Sequence, residues 1–498
     1  GGRPGAAETA LEMGLVDRVV EGDLLKDARS VALEAADVDL PAPLSTRPPI
    51  PPADAAAFEA QKARIKGRAR GQNSPLAAIL AVERALGMDA EGAFAAERAA
   101  VQALRDGEQA TALRHVFFAE RRVSRIDRAK GVEPRALARI GVVGGGTMGT
   151  GIAAACLLAG LPTVLAERDA TAAQAARGRV MDILDGSARR GLLSEAARKV
   201  AGDALVATED FAAFHDCDLI VEAVFEDMQV KREVFARLDA VARADAVLAS
   251  NTSYLDLDAL AQGTSDPSRV IGLHFFSPAH VMKLLELVVT RDAAPDVLAT
   301  GLAFGKRLGK ITVPAGVCDG FIGNRILAAY RQEADFMLEE GALPHEIDAA
   351  MRGFGYPMGL YQVSDLSGLD IAWAMRKRQA ATRDPAERYV EIADRICEAG
   401  RLGRKTGKGW YDYTDDPKGR VDPWVIELIE AESARKGITR EPFDTDRIMG
   451  RILGVMQAEG EALLAEGIAA SPEAIDVVMI NGYGFPRWRG GTMFMRGG

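Results

Sequence analysis

Short apolar runs, rich in β-branched residues, punctuate the middle of the chain. The first is Arg139-Ile140-Gly141-Val142-Val143. Others lie at Thr163 to Glu167, Asp218 to Val224, Val247 to Ser253, Val270 to Phe275 and Leu284 to Val289, most of them separated by helical spacing. Continuous apolar runs suit strands buried on both faces, and their alternation with helices predicts a Rossmann-type α/β domain: a parallel, doubly wound sheet. From about 317 the strands stop and long helical patterns take over, first to about 400 and again from about 444, which predicts all-α C-terminal domains. The two late helical blocks are open to being related modules. Ahead of the sheet, residues from about 53 to 128 are rich in Ala, Glu and Arg, with Leu76, Ile79, Leu80, Val82 and Leu86 at helical spacing. Before them stand Pro41, Pro43, Pro48, Pro49, Pro51 and Pro52, too many for helix or central strand, so an extended linker is expected. These changes of pattern divide the chain at 1–38, 39–138 (linker, then helices), 139–316 (sheet), 317–413 (first helical domain), 414–443 (linker) and 444–498 (second helical domain).

At 498 residues the chain is too long for one hydrophobic core, and three or more domains are expected. A net charge of -10 argues against a nucleic-acid partner, although local basic groups still bind phosphorylated small molecules. Cys156, Cys217, Cys318 and Cys397 stand far apart with no CxxC, so neither a disulfide framework nor a metal site is expected. No apolar run approaches the ~18 residues of a membrane span. A reducing compartment follows: cytoplasm, or the peroxisome in a eukaryote. The opening Gly-Gly-Arg and the closing Met-Arg-Gly-Gly lead us to expect a fragment cut at both ends.

Candidate chemistry begins where strand 139–143 runs into Gly144-Gly145-Gly146-Thr147-Met148-Gly149, a G-x-G-x-x-G followed by the helix Ile152 to Ala159. Gly144 allows the tight turn, Gly146 lets the backbone approach a pyrophosphate, and Gly149 lets helix and strand pack closely. The helix N-terminus, with Thr147 and Met148, offers N–H groups and a positive dipole end to phosphates. Glu167 closes the next strand, where an acid should hold a ribose 2′-hydroxyl. That carboxylate would repel a 2′-phosphate, so the expected cofactor is NAD rather than NADP.

Of five histidines, His274 alone has a chemical setting, at the end of the strand that starts at Val270, where open α/β sheets place their sites. Glu286 sits among apolar neighbours in the next strand, and a buried glutamate needs a partner. A neutral imidazole backed by a carboxylate suits removal of a hydroxyl proton. On these two residues alone, a structural pair at a strand end is an equally good reading.

Further motifs carry a resemblance. Val221-Glu-Ala-Val-Phe-Glu226, Ala249-Ser-Asn-Thr-Ser253, His274-Phe-Phe-Ser-Pro278, Lys283-Leu-Leu-Glu286, Gly320-Phe-Ile-Gly-Asn-Arg325 and Gly403-Arg-Lys-Thr-Gly-Lys-Gly-Trp-Tyr-Asp-Tyr413 together resemble the 3-hydroxyacyl-CoA dehydrogenase family. The resemblance implies His274 as base, Glu286 as its orienting partner, and Ser253 and Asn324 around the substrate's oxygens. It also implies Glu226, Lys231 and Asn251 on the cofactor side, with an acyl-CoA as substrate. Ser277 stands where many members have Asn, and Glu167 where Asp is common. Ala10-Leu-Glu-Met-Gly-Leu-Val-Asp-Arg-Val-Val20 resembles the end of an enoyl-CoA hydratase (crotonase) domain. Gly482-Tyr-Gly-Phe-Pro-Arg-Trp-Arg-Gly-Gly491 resembles the family's second helical module. The order is that of multifunctional β-oxidation enzymes, which implies a hydratase–dehydrogenase parent whose hydratase glutamates would lie upstream of Gly1. A homo-oligomer or a thiolase partner is a further implication. The alternatives are a related dehydrogenase acting on a non-CoA hydroxy acid, and an NAD-binding structural relative without turnover.

Overall fold

Burial alternates between two faces along each central strand, and this pattern organises the structure, a computed structural model that describes residues 6–39, 42–43, 46, 54–380 and 383–497. Of the prolines expected to form a linker, all but Pro43 lie outside the described residues. The chain divides into two compact units, one of residues 1–64 and 75–102, the other of 65–74 and 103–498. The helices of the N-terminal third are α1 (Ala7–Glu12), α2 (Leu24–Glu34), α3 (Ala55–Ala69), α4 (Asn73–Ala85), α5 (Ala90–Asp106) and α6 (Glu108–Arg122). Asp23 caps α2 by accepting from the N–H groups of Leu25 and Lys26.

The second unit is built on an eight-stranded sheet in the order β3-β2-β1-β4-β5-β6-β7-β8. Its strands are β1 (Ile140–Val143), β2 (Thr163–Ala166), β3 (Leu205–Thr208), β4 (Leu219–Glu222), β5 (Val247–Ser250), β6 (Val270–Phe275), β7 (Leu284–Val288) and β8 (Ile311–Ala315). Ile140, Val142, Val221, Ile271, Leu273, Leu285 and Leu287 belong to one apolar cluster. Their neighbours Val143, Ile220, Val270, Leu284 and Val288 belong to the other. Period-two alternation therefore gives each strand a share in two cores. Helices α7 (Thr147–Leu158), α8 (Ala170–Arg189), α9 (Glu195–Asp203), α10 (Met228–Val241), α11 (Leu257–Ala261) and α12 (Pro295–Arg307) cover the sheet. Asp169 caps α8, and Asp227 caps α10.

The doubly wound sheet is as expected, with one correction: it is not wholly parallel. β7 pairs antiparallel with β6, and β8 follows β7 in parallel. The eight residues Phe276 to Lys283 between β6 and β7 are too few for a helical crossover, so the chain turns back. β3 and β8, which the apolar pattern missed, are the two edge strands. β8 carries Pro314, which lacks an N–H and is tolerated only at such an edge.

Beyond the sheet come α13 (Gly323–Glu340), α14 (Pro344–Phe354), α15 (Leu360–Ser367), α16 (Leu369–Gln379), α17 (Ile392–Glu398), the hairpin β9 (Tyr411–Asp412) and β10 (Arg420–Val421), α18 (Pro423–Arg435), α19 (Thr445–Ala465) and α20 (Pro472–Gly482). The segment 414–443, expected as a linker, thus contains a helix; Val425 and Ile429 of α18 are buried in the core. Pro-x-x-Ile-Asp-x-x-Met occurs at 344–351 and again at 472–479. Gly353-Phe-Gly-Tyr-Pro357 is echoed by Gly482-Tyr-Gly-Phe-Pro486. The two late helical blocks thus repeat a motif, and its aspartates share a geometry. Asp348 lies against Gly359, and Asp476 against Gly491, so closely that a Cβ on either glycine would stand 2.2 Å from the carboxyl carbon.

Asp348 is fully buried and accepts from the N–H groups of Tyr361 and Gln362 and from the Tyr411 hydroxyl. Burial outweighs these donors and raises its carboxyl to about 6. A folded-state value above the unfolded ~3.9 means that this group's contribution is fully present below the unfolded value and is lost as pH rises through about 6. Asp348→Asn should be less stable than wild type, because an amide meets the two N–H donors poorly. The gap in urea midpoint should narrow as pH is raised from about 5 to about 7.5. A gap that stays constant with pH would remove Asp348 as its source.

Candidate active site

The loop after β1 meets the requirements of its glycines one by one. Gly144 has φ +95, and a Cβ there would lie 2.8 Å from the Ala223 carbonyl oxygen. At Gly149 the same atom would stand 1.8 Å from the Gly144 carbonyl oxygen, whereas at Gly146 it would meet nothing within 4 Å. The loop is thus packed tightly from behind and open at Gly146, the N-cap of α7. Thr147 is exposed there and Met148 half-buried. Free N–H groups at a helix N-terminus beside open backbone fit the pyrophosphate of a dinucleotide. Glu167 reaches the same loop: its Oε1 accepts from Gly145 N at 2.8 Å and its Oε2 from Arg168 N at 3.0 Å. A carboxylate offers about four acceptor positions, so capacity for a ribose hydroxyl is left over.

The return of β7 along β6 sets His274 directly opposite Glu286. Side chains so paired share a face, with Cβ atoms about 5 Å apart. His274 Nδ1 lies 2.7 Å from Glu286 Oε2, with the histidine 4% exposed and the glutamate fully buried. The other oxygen, Oε1, accepts from Ile322 N at 3.2 Å and Gly323 N at 3.1 Å, at the start of α13. These N–H groups are delivered by a turn in which Gly320 (φ 76) and Phe321 (φ 48) are both left-handed. A bulky residue in that region is strained, and here the strain accompanies a buried carboxylate that needs donors. With Nδ1–H given to Glu286, Nε2 is left as an acceptor, and the Ser253 hydroxyl lies 3.2 Å from it.

Ser253 is placed by Glu226, whose Oε1 accepts from Ser253 N (2.7 Å), Tyr254 N (3.1 Å) and the Thr252 hydroxyl (2.6 Å). Lys231 is 1% exposed; its Nζ lies 2.7 Å from Glu222 Oε1 and 3.4 Å from Glu226 Oε2. This ammonium is enclosed by carboxylates, so what it does at the cleft it does through Glu226. Asn251 Oδ1 accepts from Phe275 N at 2.8 Å, tying the end of β5 to β6. Asn324 Oδ1 accepts from the Tyr483 hydroxyl at 2.8 Å.

A cavity of about 450 Å³ joins Met148, Glu226, Asn251 and Ser253 of the sheet domain to apolar residues such as Leu327, Leu369 and Met375. Asn324, Leu327, Arg331 and Asp335 recur at one face of α13, and the last three line an adjoining cavity of about 540 Å³ together with Asn324. The structure therefore brings His274, Glu286 and Ser253 into contact, and sets Glu226 and Asn251 beside them. Gly144, Gly146, Gly149 and Glu167 form a separate cluster at the dinucleotide loop. Tyr483 was not anticipated from sequence, although its motif was visible. Comparing the two repeats, Phe354 against Tyr483, is the signal that would have found it. Among the described residues no cluster of His, Cys, Asp or Glu could hold a metal ion, and no helix is long and apolar enough to cross a membrane.

Comparisons with known proteins agree with this geometry. The description "3-hydroxyacyl-CoA dehydrogenase, NAD binding domain" matches residues 139–318, and "3-hydroxyacyl-CoA dehydrogenase, C-terminal domain" matches 320–413. The peroxisomal bifunctional enzyme of Danio rerio is 39% identical over 517 residues, covering 99% of this chain and 71% of that protein. The peroxisomal fatty acid beta-oxidation multifunctional protein MFP2 of Arabidopsis thaliana is 32% identical, covering 99% and 69%. Among solved structures, the 3-hydroxybutyryl-CoA dehydrogenase of Escherichia coli aligns with TM-score 0.61 at 26% identity, over 70% of this chain and 90% of that one. The dehydrogenase part of multifunctional enzyme 1 from C. elegans gives 0.55 at 28%, over 76% and 88%.

The loop geometry makes a direct prediction. Gly149→Ala should weaken binding of NADH, followed by fluorescence titration, by at least ~10-fold, because its methyl group displaces the Gly144 carbonyl. Gly178→Ala, where a Cβ meets nothing, should bind as wild type. Equal affinities for all three proteins would place the dinucleotide elsewhere.

Proposed function

The chain belongs to the 3-hydroxyacyl-CoA dehydrogenase family, and from that membership we propose how its own residues carry out the reaction. The activity is oxidation of an L-3-hydroxyacyl-CoA to the 3-oxoacyl-CoA in fatty acid β-oxidation, with NAD as cofactor. NAD, when bound, supplies the hydride acceptor. Gly144, Gly146 and Gly149 with the N-terminus of α7 would hold its pyrophosphate, and Glu167 its adenosine ribose.

His274 acts as the base. Its Nδ1–H is committed to Glu286, so the lone pair on Nε2 is available to take the proton of the 3-hydroxyl. As that proton arrives the ring becomes cationic, and Glu286 stabilises the charge from 2.7 Å. Glu286 does not drift toward Nε2, because Ile322 N and Gly323 N hold its second oxygen. Ser253 and Asn324 hold the substrate's oxygens, and Glu226 with Lys231 keeps the Ser253 turn in place. The acyl chain lies against Leu327, Leu369 and Met375 in the cavity beside Ser253. The observation that carries this reading is the His274–Glu286 pair, with Ser253 on the remaining imidazole nitrogen.

Residues 1–38 read as the end of an enoyl-CoA hydratase domain, which agrees with the bifunctional and multifunctional names of the relatives. Those relatives are named as peroxisomal proteins, and we place this enzyme in the same organelle if its source is eukaryotic, in the cytoplasm otherwise.

Purified protein should oxidise NADH in the presence of acetoacetyl-CoA and leave free acetoacetate untouched. His274→Gln should lower kcat by roughly 10²–10⁴-fold while NADH affinity stays the same. Preferential turnover of the free acid would favour a non-CoA hydroxy acid dehydrogenase instead. Wild-type rates in the variant would take His274 out of the mechanism.

A further inference from the structure

The second helical module, beyond residues 139–318 and 320–413 described above, reaches into the active site through one side chain. The ring of Tyr483 lies so near the start of α13 that a Cβ on Gly323 would stand 2.3 Å from it. Its edge meets the Phe276 ring (centroids 5.6 Å apart, 82° between planes), and Phe276 in turn lies 4.7 Å from the His274 imidazole. The hydroxyl points to Asn324 Oδ1 at 2.8 Å. Burial pushes the Tyr483 phenol well above its ordinary value, so the group remains a donor.

The repeat shows what packing alone demands. At the equivalent place in the first module stands Phe354, which packs edge-on against Phe485 at 5.6 Å. A phenylalanine therefore satisfies the fold at this position, and the hydroxyl of Tyr483 has another task. An asparagine amide presents an acceptor on one side and two donors on the other. A donor fixed on Oδ1 decides which way the amide faces.

We propose that Tyr483 is a positioning residue for the dehydrogenase reaction: it holds Asn324 with Oδ1 turned inward and Nδ2 free to donate to the substrate's oxygen. The proposal rests on the reading of Asn324 as a substrate contact. Tyr483 is itself anchored, since neighbouring Asn481 and Arg487 both donate to Glu120 of α6, at 2.9 Å and at 2.6 and 2.5 Å. In this way a helix that precedes the sheet and a module that follows the first helical domain jointly complete the site.

The test is a double-mutant cycle on the full chain, read by steady-state reduction of acetoacetyl-CoA. Tyr483→Phe should lower kcat by ~10-fold, the size of one lost hydrogen bond, with the KM for NADH unchanged. Asn324→Ala should lower kcat further, and adding Tyr483→Phe to it should cost nothing more. Wild-type kcat in Tyr483→Phe, or losses that simply multiply in the double variant, would overturn the proposal. Should Tyr483→Phe melt below wild type, the same comparison made below both midpoints still decides, because a general packing defect multiplies and a shared hydrogen bond does not. Failure of the wild-type protein to reduce acetoacetyl-CoA at all would overturn the dehydrogenase reading and this proposal together.

Discussion

A glutamate with no exposure to solvent must be given donors, and the arrangement of this active site follows from how Glu286 receives them. One oxygen takes the imidazole N–H of His274, and the other takes two backbone N–H groups at the head of α13. The first bond fixes the tautomer of His274. The second ties the sheet domain to the first helical domain. Removing either side would leave a buried charge short of partners, so the His274–Glu286 pair and the junction between sheet and helices are a single structural commitment.

That commitment has a cost in backbone geometry. Phe321 sits at φ 48, a conformation more natural to the glycine before it, so that Ile322 N and Gly323 N point back into the sheet. Close packing around the same turn leaves no room for a Cβ at Gly323, where the Tyr483 ring presses against the chain. Carboxylates recur as organisers elsewhere: Glu226 shapes the Ser253 turn with three donors, and Asp348 and Asp476 clamp equivalent places in the two helical modules. In each case a buried or half-buried acid gathers backbone N–H groups that a loop could not otherwise satisfy.

The cofactor loop was legible from sequence because its requirements are local. Strand, glycine turn and helix N-terminus are contiguous from Ile140 to Leu158; Gly149 answers to a contact within that stretch, Gly144 to one just past β4, and Gly146 stands open. His274 and Glu286 were legible as residue types in suggestive settings, at a strand end and within an apolar run. Their contact was not, since spacing alone does not say that β7 turns back along β6. The edge strands escaped notice for a related reason: β3 and β8 have fewer neighbours to bury them, and β8 even tolerates Pro314.

By itself the sequence determined the alternation of strands and helices and the glycine turn, and it singled out His274 and Glu286 as residue types. Periodicity and glycine placement act over a few residues, where backbone sterics dominate. Only the tertiary structure decided which side chains meet. The register that faces His274 with Glu286, the enclosure of Lys231 between two glutamates and the reach of Tyr483 to Asn324, 159 residues away, are outcomes of packing. Contacts between such distant residues are selected by how whole elements fill space and satisfy buried polar groups together, which no local pattern encodes.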